Sequence, residues 1–440
     1  MMINYLESLS QRVMAGQTER RRFLELSGTV LGGIAVGTTV TAAERTDRFI
    51  VETRGGRMPE DLEVVHEMPG VGLVVVEGSE SELKRSKAVA DYAPDIEIEL
   101  IDPEIDADAP TPEAASAGDE PLYPLQWDKQ SQNIPEAHDV TQGDGTRVAI
   151  IDSGVSAAHP DLDVNRDLSR NFTGDGEGAG VPAGGDHGTH VAGIAAASDN
   201  EKGIIGSAPE TDLVDCRVFS SDPGASFADI LAAIVYSANI EADAANLSLG
   251  AYPISRKGNG GFYGKVLNST MTYANKEGTL LTIAAGNDSA DLQHDKNLIS
   301  LPNEGAQACS VAATGPIGFE WGDEGLEEPF VSPAFYTNYG TNAITVAAPG
   351  GDVDLDVYPA NGSDQDLVLS TVPGDYGYKA GTSMAAPQVA GAAALVKSEN
   401  PDYNANQVES VLKRTAEVPE DYDKAYYGAG VINPAEAVLD

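Results

Sequence analysis

The sequence predicts an α/β fold: a mostly parallel sheet with helices packed on both faces. Three observations carry that expectation. Short, continuously apolar runs such as VAIID and LLTIAA have the length and composition of strands buried on both faces. They alternate along the chain with longer helical stretches. And 440 residues, 41% of them hydrophobic, suffice for a large core and more than one unit.

In chain order, the first element is a leader. RRRFLELSG at 20–28 is followed by an uncharged stretch, Leu26 to Ala43, diluted by Gly and Thr and ending in small residues. That stretch is too weakly apolar to hold a membrane span. Basic residues, a weak apolar segment and a small-residue end form an export signal, and the consecutive arginines before Phe-Leu resemble a twin-arginine signal. Residues 1–43 are expected to be removed on export, leaving a secreted, extracellular product with no membrane attachment.

Residues 44–118 come next. DRFIVET, GVGLVVVEG and the alternating DIEIELI read as strands, and SESELKRSKAVAD as a helix with Ser81 at its N-cap. The linker DPEIDADAPTPEAASAGDEP is rich in Pro, Ala and acids and reads as flexible and cleavable.

From residue 119 to 440 the alternation sets in. TRVAIID, TDLVDCRV, AANLSLG, GTLLTIAAG, ACSVAAT and NAITVAAPG are candidate strands. GTHVAGIAAA, SFADILAAIVYSAN, KVLNSTMTYANKEG, SMAAPQVAGAAALVKSE and NANQVESVLKRTAE carry helical periods. In such sheets chemistry sits beyond the carboxyl ends of the strands. No substrate-binding module is expected after this unit.

Composition narrows the partners. With 27 basic and 69 acidic residues the net charge is −42, which repels nucleic acid and anionic membranes. The acids are spread through ordered-looking sequence, as on a surface adapted to high salt. Cys216 and Cys309 lie in apolar runs and read as inert buried thiols, a disulfide between them being the alternative.

Four polar residues stand out at element ends. Asp152 closes the VAIID strand, either as a turn former or as a carboxylate behind a histidine. GGDHGTHVAG opens a helix with His187 and His190; their spacing, with Gly and Thr between, does not suit zinc. His187 reads as accessible and His190 as packed. In GTSMAAP, Ser383 heads a helix apolar all round, so it is an N-cap or a nucleophile beside amides that favour an oxyanion. Pro387 falls in the early turns, where a missing N–H is tolerated. Asn287, ending TIAAGN, is a turn residue or a side-chain donor to a developing charge.

Together DSG, HGTHVAG, NLSLG, AAGN and GTSMAAP, in this order, resemble the subtilisin-like serine proteases, the subtilases, over about residues 119–440. Within them the acidic composition is similar to the halophilic, secreted, halolysin-like members. The resemblance implies a three-layer, doubly wound, mostly parallel sheet preceded by a small α+β propeptide. It implies a monomeric serine endopeptidase acting on protein or peptide substrates. Ser383 would be the nucleophile, His187 the general base then acid, Asp152 the residue that fixes the histidine tautomer, and Asn287 an oxyanion donor with the Ser383 N–H. Leu247, Ser248, Leu249 and Gly250 would pair with an extended peptide. Ala284, Ala285 and Gly286 would form one wall of the pocket for the residue before the scissile bond, and the region of Ser300 the other. Asp161, Asn200 and the carbonyls of Ser198, Lys202 and Ile204 would bind calcium, with Asp119 or Glu120 reaching the same ion. Residues 47–101 would act as the chain's own inhibitor and folding aid until cleaved. A binding module that had lost the chemistry would lack one of the four polar residues, and all four are present.

Overall fold

The structure is a computed structural model and describes residues 44–98, 106–109, 120–221, 225–294, 298–317, 330–353, 366–420 and 422–440. The leader, most of the acidic linker, residues 318–329, which include Trp321, and residues 354–365 lie outside the described residues.

In the N-terminal unit, strands β1 (Glu44–Thr53), β2 (Glu63–Met68), β3 (Leu73–Glu77) and β4 (Val89–Ile98) form an antiparallel sheet in the order β2-β3-β1-β4. The helix expected over 79–91 is shorter than its pattern. It covers Glu80–Leu83, with Ser79 rather than Ser81 as N-cap, because Glu82 reaches back to the Ser79 N–H in a capping box. Val89 and the residues after it pair instead as β4, so sheet pairing overrides local helical propensity.

In the larger unit, β5 (Arg147–Asp152), β6 (Arg170–Asn171), β7 (Asp212–Arg217), β8 (Ala244–Leu247), β9 (Leu280–Ala284), β10 (Ala308–Thr314) and β11 (Val346–Pro349) form one parallel sheet. Its order is β11-β10-β9-β8-β5-β7-β6. All six apolar runs are strands here. Their period of two turns alternate residues to opposite faces. Val148 and Ile150 join the core beneath α2 (His187–Ala196) and α5 (Thr382–Glu399). Ala149 and Ile151 join the one beneath α3 (Phe227–Asn239) and α4 (Gly260–Glu277). Helix α6 (Ala405–Arg414) follows α5. The chain leaves β5 to one side and later returns to its other side at β8, so the topological switch point lies between the ends of these two strands.

The N-terminal sheet lies on α3 and α4. Ile50, Met68, Val75 and Ile96 share a core with Ile230, Ile234 and Met271, while Phe49, Val51 and Val74 form a separate cluster on the outer face. β4 continues antiparallel onto Ala225–Ser226. Polar groups lock the contact. Asp95 accepts from Ser226 Oγ and from the Ala228 N–H, capping α3, and Arg48 is ion-paired with Asp229 and Asp95. His66 Nε2 lies 2.8 Å from Asp229.

The linker departs from its flexible reading at one place. Asp106–Asp108 pairs antiparallel with Asp375–Lys379, which itself forms a hairpin with Val368–Val372. An edge strand's open backbone groups accept a partner whatever its side chains. Cys216 and Cys309 are buried and free, and burial pushes the Cys216 thiol up to about 12.

Candidate active site

Asp152 is the last residue of β5 and is fully buried. Its Oδ1 accepts from the Ser153 N–H and lies 2.7 Å from His187 Nδ1. A carboxylate can only accept, so Nδ1 carries the hydrogen and Nε2 is the basic nitrogen. The approach needs Gly188. A Cβ there would fall 2.8 Å from the Gly154 carbonyl and 3.1 Å from Asp152 Cβ, so no larger residue lets α2 reach the strand end. Contrary to its accessible reading, His187 is only 4% exposed, because this packing encloses it. His190 is buried with Nε2 on the Gly377 carbonyl, and burial holds its pKa well below the ordinary histidine value.

Ser383 lies in the first turn of α5, where every residue from Thr382 to Val396 is buried. The N-cap is Gly381, so the serine hydroxyl is not the cap. Pro387 is deeper in the helix than a tolerated first-turn proline. It cannot donate to the carbonyl four residues back, that of Ser383. Ser248 Oγ donates to that carbonyl instead, at 2.7 Å. The proline thereby ties the segment after β8 to the serine, and Ser383 Oγ lies 3.4 Å from the Ser248 carbonyl.

Asn287 follows β9. Its Oδ1 accepts from the Thr382 N–H at 2.9 Å and from Thr382 Oγ1 at 2.8 Å. A backbone N–H only donates, which fixes the amide with Nδ2 turned away from Thr382. Thr382 also accepts from the Gly286 N–H. Nothing in GTSMAAP marks Thr382 for this part, since its partners Gly286 and Asn287 lie about 95 residues earlier.

The expected substrate residues adjoin one another. Leu247 pairs with Ile283, a Cβ on Gly250 would stand 3.5 Å from the Leu301 carbonyl, and Asn303 reaches the Ala285 carbonyl at 3.4 Å. The Leu247–Gly250 segment, the end of β9 and the Ser300–Asn303 turn are therefore mutual neighbours. Ser300 is buried, its N–H on Glu304. All of this lies at the carboxyl ends of the strands. A cavity of about 900 Å³ lies at the amino ends instead, lined by Arg147, Asp212, Asp243 and Lys397 among others.

The expected calcium residues surround one loop. Asp161 Oδ2 accepts from Tyr376 and from the Ile204 N–H, while its Oδ1 and Asn200 Oδ1 are buried without a hydrogen-bond partner. Ser198 donates its N–H to the Asp161 carbonyl. Two orphaned oxygens fit a cation that takes only oxygen. Glu120 does otherwise than expected: its carboxylate accepts from the N–H groups of Asn200, Glu201 and Gly203. The Lys202 ammonium sits on the Pro160 carbonyl. Among the described residues no three His, Cys, Asp or Glu side chains converge as a metal site.

Comparison with known proteins identifies the family. The model of the subtilase family matches residues 143–430. Subtilisin BL of Lederbergia lenta is 33% identical over 319 residues, covering 71% of this chain and 98% of its own. An extracellular protease of Xanthomonas campestris pv. campestris is 32% identical over 338 residues, covering 70% of this chain and 53% of its own. Among solved structures, a protease from Pseudoalteromonas arctica superposes with a TM-score of 0.59 at 29% identity, covering 74% of this chain and 99% of that one. The epidermin leader peptide processing serine protease of Staphylococcus aureus gives a TM-score of 0.71 at 22% identity. That match shows fold alone, yet it covers 89% of this chain and 97% of the other, more of this chain than residues 120–440 make up. The chain belongs to the subtilase family and is a serine endopeptidase.

Proposed function

We propose that the chain is the zymogen of a secreted, salt-adapted subtilase of the halolysin-like kind, in which Asp152, His187 and Ser383 form the catalytic triad. The observation that carries the reading is the 2.7 Å contact of Asp152 with His187 Nδ1, beside a buried helix whose first turn holds Ser383. Ser383 Oγ attacks the scissile carbonyl while His187 Nε2 takes its proton, then returns it to the leaving amine. Asp152 holds the tautomer and stabilises the imidazolium. The oxyanion is held by Asn287 Nδ2 and the Ser383 N–H. The extended substrate adds to Leu247–Gly250 by main-chain bonds, with its side chain against Ala284–Gly286 and Ser300.

Residues 44–118 act as the propeptide. The apolar face on α3 and α4 and the Asp95 cap support a docked inhibitor and folding aid. Export as a folded monomer by a twin-arginine route rests on residues 20–43, and salt adaptation on the charge of −42.

The test is hydrolysis of a peptide by the full chain refolded in high salt, with and without a sulfonyl fluoride. Expected is loss of activity in step with covalent labelling of Ser383, read by mass spectrometry. Hydrolysis that survives complete labelling, or labelling elsewhere, would sink the assignment.

Calcium, if bound, is held by Asp161 and Asn200 side chains with the carbonyls of Ser198, Lys202 and Ile204; it supplies cross-linking of the loop and no chemistry. A ligand at 100 times its Kd adds about 2.7 kcal/mol, so in a unit of this size calcium is expected to raise Tm by roughly 3–4 °C over chelator. Asn200→Ala should remove most of that shift. A Tm indifferent to calcium would exclude the site.

A further inference from the structure

We infer that Asn338 is the positioning residue of the oxyanion loop, holding Asn287 in line through the backbone on either side of it. The inference rests on the proposed role of Asn287 as oxyanion donor.

Asn338 is fully buried and belongs to no named strand or helix. Its side-chain oxygen accepts from two backbone N–H groups, those of Asp288 at 3.0 Å and Ala290 at 2.8 Å. Because those groups can only donate, the orientation of the amide is fixed. Nδ2 then donates to the Ala285 carbonyl at 3.0 Å and to the Asp288 carboxylate at 3.1 Å. The Asn338 backbone N–H adds a bond to the Gly286 carbonyl at 2.9 Å. Every residue from Ala285 to Ala290 except Asn287 and Ser289 is thus bonded to this one residue. Ser289 is held next door, its N–H on the Tyr336 carbonyl and its hydroxyl on the Phe335 carbonyl.

The loop needs such a support. Gly286 has φ +101°, and a Cβ there would stand 2.4 Å from Asn338 Nδ2. Ser289 has φ +52° without being glycine. Two left-handed residues bracket Asn287 in a tight bend, a conformation that persists only where surrounding bonds hold it. The bend faces two ways. Its inner groups bond to Asn338, while Asn287 Oδ1 bonds to Thr382 at the start of the serine helix. Thr382 sets the direction of the Asn287 amide; Asn338 sets the place of the backbone that carries it. Oxyanion stabilisation depends on donors fixed before charge develops, so a small displacement of the loop costs more in rate than in substrate affinity.

The experiment is a double-mutant cycle on peptide hydrolysis by the full-length chain, refolded in high salt and normalised by titration with a covalent serine inhibitor. Asn338→Ala and Asn338→Asp are each made alone and with Asn287→Ala. Asn338→Asp keeps an oxygen for the Asp288 and Ala290 N–H groups, so it carries the test if the alanine variant does not fold. Either variant is expected to lower kcat about 10- to 100-fold with KM within about two-fold. In the Asn287→Ala background the further loss should be below about two-fold, because the donor being positioned is already gone. An unchanged kcat, or an equal loss in both backgrounds, would overturn the inference. If Asn287→Ala alone left kcat unchanged, the oxyanion assignment itself would fall, and that result is read independently of Asn338.

Discussion

Replacing Ser383 by alanine is expected to lower kcat for peptide hydrolysis on the order of 10⁶-fold, the loss known for subtilisin and carried over to this chain. The full-length precursor should then accumulate uncut. Fold and stability should barely change, because the N-cap of α5 is Gly381 and the Ser383 carbonyl keeps its bond from Ser248 Oγ. The change removes one oxygen from a site whose other parts stay in place. A residual rate of about 10³–10⁴ over water is therefore expected from oxyanion binding and substrate alignment alone. The measurement is kcat beside the thermal midpoint of the same preparation. Loss of hydrolysis with an unchanged midpoint supports the nucleophile. Hydrolysis within ten-fold of the parent would mean that another residue attacks, and a collapsed midpoint would make Ser383 a structural residue.

Much of this was legible in the sequence for a physical reason. Strands buried on both faces must be apolar at every position, so VAIID or LLTIA reads as a strand without any knowledge of its neighbours. Polar residues at the ends of such runs have few bland explanations when several recur in a family's order. What escaped was whatever depends on a distant partner. The helix expected over 79–91 was cut short because Val89 onward meets β1. The hairpin of Val368–Val372 and Asp375–Lys379 had a Pro-Gly turn signal, but its purpose is tertiary: Ser370 and Thr371 donate to the carbonyls of His190 and Thr189 in α2. Asn338 looks like any loop asparagine until the loop after β9 folds around it. Lys129, in the polar stretch WDKQS, reads as a surface lysine, yet its partners lie as far along the chain as Gln388.

Lys129 supports the second large effect, on stability. It sits in α1 (Trp127–Ser131), fully buried ahead of the parallel sheet. Its ammonium donates to the Ile194 carbonyl, Ser207 Oγ and Gln388 Oε1, and lies 3.5 Å from Asp128. It therefore joins the chain's entry into this unit to both the histidine helix and the serine helix. Lys129→Met should destabilise by about 3–5 kcal/mol at pH 7, measured by denaturant unfolding in high salt. The cost arises less from the acceptors than from the anion left behind. Ile194 and Gln388 keep other donors in Ser207 and Gln132, whereas Asp128 retains Gln388 Nε2 and has a buried oxygen with no hydrogen bond. Asp128→Asn combined with Lys129→Met should therefore recover most of the loss, and simple additivity of the two changes would refute this account. The pH dependence gives an independent check. Burial lowers the Lys129 pKa from 10.5 to about 8, so between those values the unfolded chain holds a proton that the folded chain has released. Stability contributed by this group then rises with pH, by up to about 3 kcal/mol between pH 8 and 10.5, and is least below pH 8. Relative to the Lys129→Met protein, the parent should gain stability across that window. A parent that loses ground there would show that Lys129 is held as a cation by Asp128 more strongly than burial opposes it.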